Sequence, residues 1–152
     1  MSGQKVRVFP FHMLWRAKVN TCYTYFLIRG EFDPDVITKM LKLQPDSSWK
    51  IGTERKNGRG IYPCSAWSFG RCDQYDVITE NQIKKTIAPL KDKIPILNLI
   101  RKKYDATFTI EVVPEIYPDQ STPALGPDLE IIDFCHAVRA EIDIDLYVCP
   151  SE

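Results

Sequence analysis

Along residues 142–148 apolar and polar positions alternate with a period of two: Ile142, Asp143, Ile144, Asp145, Leu146, Tyr147, Val148. That pattern predicts a strand with one wet face. Three more strands follow from composition. Residues 21–30 are aromatic and β-branched and close on Gly30, residues 61–70 hold Tyr62, Trp67 and Phe69, and residues 106–113 run up to Pro114. Helical spacing lies between them. Asp33 offers an N-cap, Pro34 fits the first helical position, and Val36, Ile37, Met40 and Leu41 share one face, so a helix is predicted over 34–43. A second helical region opens at Thr79 with Ile83, Ile87 and Leu90 inward, and Pro89 and Pro95 should bend or split it before Ile96, Leu97, Leu99 and Ile100. A third starts at Gly126-Pro127-Asp128 and should bury Ile131, Ile132, Cys135 and Val138.

The resulting order is β-α-β-α-β-α-β. Long loops and strands with alternating polar faces favour an α+β fold, a mainly antiparallel sheet of four or five strands with helices on one face. A parallel doubly wound sheet is the alternative, although its strands should be apolar on both sides. Pro34-Asp35-Val36 rhymes with Pro127-Asp128-Leu129, which raises an internal β-α-β duplication. The stretch 49–60 is polar, basic and glycine-punctuated and reads as a surface loop, as does the proline-rich stretch 114–127.

A chain of 152 residues with 44% hydrophobic and 26% charged residues is expected to form one domain, 1–152, with residues 1–20 as an N-terminal extension or extra strand. No apolar run reaches the roughly 20 residues that a membrane-spanning helix needs, and the N-terminal stretch is too interrupted for a secretory signal, so the cytosol is the expected compartment. Cys22, Cys64, Cys72, Cys135 and Cys149 are odd in number and widely spaced, which fits reduced, mostly buried thiols. Net charge is zero but unevenly spread. Residues 1–103 carry 19 Lys and Arg against 9 Asp and Glu, and residues 104–152 carry 1 against 11. Either the fold interleaves the two sets or it presents opposed surface potentials.

Enzyme signatures are missing: there is no nucleophile elbow, zinc motif, P-loop or dinucleotide fingerprint. Cys135 and His136 are adjacent on a helix and point apart, so a core thiol beside a surface imidazole explains them better than a catalytic pair. Asp143 and Asp145 share a strand face and could hold a divalent cation, although an amphipathic strand explains the same spacing. Lys50, Arg55, Lys56 and Arg59, near Trp49, Tyr62 and Trp67, have the make-up of a single-strand nucleic-acid contact. A charged loop beside core tryptophans explains those letters as well.

The segments Tyr25-Phe26-Leu27-Ile28-Arg29-Gly30, Phe32-Asp33-Pro34, Trp49-Lys50-Ile51-Gly52, Trp67 and Ile142-Asp143-Ile144-Asp145-Leu146-Tyr147 together resemble a bacterial domain family of unknown function, family 4279. The likeness spans about residues 21–148. It implies a small cytosolic α+β domain, some of whose relatives resemble immunity proteins of polymorphic toxin systems, and it brings no catalytic residues and no cofactor. The expected function is therefore non-enzymatic: binding and neutralising a cognate toxin protein through Glu115, Asp119, Asp143 and Asp145, carboxylates suited to the basic cleft of a nucleic-acid-cleaving domain. Nucleic-acid binding through residues 50–59 and a metal-assisted reaction at Asp143 and Asp145 are the alternatives.

Overall fold

The computed structural model of the chain describes residues 19–150, so the expectation for residues 1–20 falls almost wholly outside it. Of that stretch Asn20 is buried. Its Nδ2 donates to the Ser121 carbonyl (2.8 Å) and its Oδ1 accepts from the Tyr117 amide (2.8 Å), tying the entry of the sheet to a later loop.

The fold is α+β, built on a mixed sheet. Strand β1 (Thr21–Gly30) lies at its centre, antiparallel to β3 (Ser65–Cys72) on one side and to β4 (Thr107–Ile116) on the other. A short β2 (Ser47–Trp49) adds antiparallel outside β3. Beyond β4, β5 (Ala140–Ile144) and β6 (Tyr147–Val148) both pair with it in parallel, giving six strands among the described residues. The sheet expected to be mainly antiparallel is so from β2 to β4 and turns parallel at β5 and β6. Helix α4 (Leu129–Val138) carries the chain back along the sheet between β4 and β5, and a crossover of that kind leaves its two strands parallel.

The helices of the described residues cover one face. They are α1 (Pro34–Leu41), α2 (Thr79–Ile87), a 3₁₀ segment (Ala88–Lys93), α3 (Ile94–Tyr104) and α4. Alternation in β1 sends Cys22, Thr24, Phe26 and Ile28 toward them, where Phe26 meets Phe108 and Phe134 at ring separations of 5.5 and 6.1 Å. Burying each such ring contributes about 2 kcal/mol. Trp67 is fully buried and its Nε1 still finds a partner, donating to Thr38 Oγ1 at 3.0 Å. Pro89 and Pro95 stand near the starts of the 3₁₀ segment and α3, so the expected bend is a split into separate helical pieces.

Helix α2 is pinned by polar groups inside the core. Gln82 Nε2 donates to the carbonyls of Cys22 (2.9 Å) and Cys72 (3.2 Å), bridging β1 and β3. Thr86 Oγ1 donates to the Gly70 carbonyl (2.8 Å). Gly70, at φ +75°, supplies the left-handed residue of a bulge that shifts the β1–β3 register between Thr24 and Phe26. A Cβ there would stand 2.8 Å from the Thr86 carbonyl oxygen, so only glycine allows this approach.

Several other expectations change. The second strand is Ser65–Cys72 in place of 61–70, because Trp49 and Tyr62 belong to a hairpin closed by bonds from Gly52 N to the Tyr62 carbonyl and from Tyr62 N to the Thr53 carbonyl (both 2.9 Å). Strand β4 runs through Pro114 to Ile116 and does not stop before it. The last strand is interrupted at Asp145 and Leu146, and these two observations have one cause. Val112 and Ile116 accept bonds from Asp145 N and Cys149 N, so Pro114, between them, faces the same neighbour without an N–H to donate. On α4 the inward residue is Phe134, while Ile132 is 46% exposed. Helix α1 ends at Leu41, with Lys42 left-handed at its C-cap. Of the cysteines, Cys22 and Cys135 are buried and the other three are half-buried. The rhyme between the two Pro-Asp segments does not extend to their geometry. Asp33, before Pro34, caps α1, whereas Asp128, after Pro127, caps α4; the first unit's strands, β1 and β3, are antiparallel neighbours with β2 intervening in the chain, and those of the second, β4 and β5, are parallel.

Candidate functional site

With the helices on one side, alternation leaves the other face of the sheet to Tyr23, Tyr25, Leu27 and Arg29 from β1 and to Glu111, Val113 and Glu115 from β4. Register places Asp143 beside Glu111 and Tyr147 beside Glu115. Toward β2 and β3 the same face carries Trp49, Ser68 and Arg71 and encloses a groove of about 360 Å³, also lined by Asp46 and Ser47.

Aromatic and cationic side chains form the groove. Tyr23 and Tyr25 lie nearly parallel, 6.1 Å apart, and the Arg71 guanidinium sits 3.9 Å over the Tyr23 ring while its Nε meets Asp73 at 2.9 Å. The backbone amide of Arg71 donates to Asp46 Oδ2 (2.8 Å), which fixes where the strand leaves the bulge. Arg29 reaches across to Glu111 at 3.5 Å.

Carboxylates gather at the far edge. The Glu111 side chain is only 7% exposed, and burial pushes its carboxyl above the usual glutamate range; Arg29 opposes the shift and Asp143 and Asp145 add to it. Tyr147 donates its hydroxyl to Asp145 (2.9 Å), a bond to the charged neighbour that holds its phenol above the ordinary value. Glu115 accepts from Thr21 Oγ1 at 3.1 Å. Among the described residues Glu141, Asp143 and Asp145 have no cationic partner. The acidic surplus of the C-terminal third is partly neutralised elsewhere, where Lys84 meets Asp128 and Glu130 and Lys91 meets Glu130. The two charge sets therefore interleave beside α4 and remain apart at β5.

Three of the four carboxylates expected to bind a partner, Glu115, Asp143 and Asp145, thus share one face at one end of the sheet. Asp119 does not join them: it lies past the end of β4 in a turn where Gln120 N donates to the Tyr117 carbonyl (3.0 Å). Glu111 and Glu141 were missed, although each precedes or follows an isoleucine of a strand and the alternation alone places them outward. The pair Asp143 and Asp145 gains no third ligand, since among the described residues no three His, Cys, Asp or Glu side chains converge in a metal-holding arrangement. Of the basic set, Lys50 is bonded to Asp33 (2.8 Å) and Arg55 lies 5.7 Å from the centre of the Tyr62 ring. Trp49 and Tyr62 stack on each other at 5.0 Å. Lys56 and Arg59 occupy the exposed tip of the same hairpin. Cys135 is buried and His136 exposed, so they form no pair.

Fold and face together define a small α+β domain whose mixed sheet, among the described residues, carries its helices on one side. The chain belongs to the family described as Domain of unknown function (DUF4279), whose profile matches residues 20–149. No curated protein and no solved structure matches it. No helix among the described residues is long and apolar enough to cross a membrane.

Proposed function

We propose that this chain is a non-enzymatic protein-binding module, an immunity protein that neutralises a bacterial toxin domain by covering it. The observation that carries the reading is the acidic end of the sheet face opposite the helices, where Glu141, Asp143 and Asp145 have no cation among the described residues and Asp143 and Asp145 crowd the buried Glu111. Uncompensated carboxylates exposed along a strand suit a basic surface, and a nucleic-acid-cleaving toxin has such a surface in its cleft. Tyrosine, tryptophan and arginine, the side chains that dominate protein interfaces, line the adjoining groove.

The test is co-expression. A toxin domain encoded beside this chain's gene is expressed with and without it, growth is scored, and the pair is purified together. Rescue of growth and a complex with Kd below about 1 μM are expected, and the double substitution Asp143→Lys with Asp145→Lys should abolish rescue. A chain that neither rescues growth nor co-purifies overturns the proposal, as does turnover of a substrate by the purified protein.

A further inference from the structure

Among the described residues the acidic end of the sheet is also an open edge. Asp145 N and Cys149 N donate inward to β4, so the odd-numbered residues of this segment turn their main chain toward the sheet. Ile142, Ile144, Leu146 and Val148 turn theirs outward, and among the described residues no strand lies beyond β5 and β6 to meet those outward groups. On the helix side of the edge, Ile144, Leu146 and Val148 are 41, 47 and 68% exposed. Helix α4 runs opposite to β5 and packs on it, which brings its first turns, with exposed Leu129 and Ile132, to the same end. On the other side stand Glu141, Asp143 and Asp145.

We propose that the outer edge of β5 and β6 accepts an extended segment of a partner protein as an added strand, one that alternates basic side chains over the carboxylates with apolar side chains over Ile144, Leu146 and α4. This rests on the binding-module reading and names its mode and the chemistry of its partner. Two halves of one requirement meet here. Outward N–H and C=O groups supply main-chain bonds, and the two sides of the edge select opposite kinds of side chain. Charge excludes a second copy of this chain as the occupant: two such edges paired about a twofold axis would set Glu141 and Asp143 against the same carboxylates of the other copy, and like charges directly opposite destabilise a strand pair.

The probe is a synthetic peptide alternating lysine and valine, titrated into the isotopically labelled full chain while amide exchange is followed residue by residue. Two controls accompany it: the same residues arranged as a lysine block and a valine block, and a peptide alternating glutamate and valine. Slowed exchange at the amides of Ile142, Ile144 and Leu146 with the first peptide alone is expected. Ile144→Pro removes an outward N–H and spares the inward bonds, so it should weaken binding by about tenfold or more. Asp143→Lys with Asp145→Lys, two surface changes, should weaken it as much without touching the edge amides. Equal binding of either control, or protection confined to the groove around Tyr23 and Arg71, overturns strand addition. If the co-expressed toxin domain is still captured in that case, the binding-module reading stands; if capture fails as well, both fall.

Discussion

Single side chains set how this protein responds to pH, and Glu111 opposes the capping aspartates. Burial raises its folded-state pKa, so the folded chain holds the proton more tightly than the unfolded chain does. Its contribution to stability is therefore greatest at or below the ordinary glutamate value of 4.5 and falls as pH rises through the raised folded value. Asp33 and Asp128 behave in the reverse sense. Bonds from Lys50 and Lys84 hold them below the usual 3.8, so their contribution is present above that value and is lost as pH falls through the lowered one. Glu111→Gln keeps the shape and removes the charge. It should unfold at a higher urea concentration than the parent at pH 7, and the two midpoints should converge as pH approaches 4.5. A variant weaker than the parent at pH 7 would assign the larger effect to the Arg29 contact.

At the scale of elements, Pro114 decides how the sheet ends. Its missing N–H leaves the Asp145 carbonyl without the bond that a parallel ladder would provide, and the last strand breaks there. Pro114→Val restores the donor. Amide exchange at Tyr147 and Cys149 should slow, whatever the change in overall stability, because the substitution also frees the unfolded chain. This is where the sequence was least legible. A proline after Val112 and Val113 reads as a stop, since one strand by itself does not reveal which neighbour its N–H would face. Helix starts were easier. Asp33-Pro34 and Pro127-Asp128 mark them through local capping, which requires no knowledge of the rest of the fold. Ile132 was misplaced for the opposite reason, because it is apolar beside the buried stripe and only the position of α4 at the sheet margin leaves it exposed.

On the scale of the whole molecule, outward alternation placed Asp143 and Asp145 on one face, whereas Glu115, expected in the loop that begins at Pro114, joins them because β4 runs on to Ile116. The Tyr23–Arg71 groove was not foreseeable in the same way, since it depends on the β1–β3 register and on the bulge at Gly70. The charge arrangement predicts kinetics of association. Asp143→Lys with Asp145→Lys should slow the on-rate toward a basic partner severalfold at low ionic strength and much less at high salt. The variant's thermal midpoint should stay near the parent's, because exposed surface changes cost within about 0.5 kcal/mol. Stopped-flow mixing across a salt series checks both. The central position of β1 carries a last implication, for the birth of the chain. Its partner β4 lies far downstream, with Ile28 opposite Phe108, so a polypeptide leaving the ribosome can join β1 to β3 long before β4 exists. During that interval one flank of the middle strand is bare, and a chaperone that shields it should raise the yield of folded protein more than one acting after release.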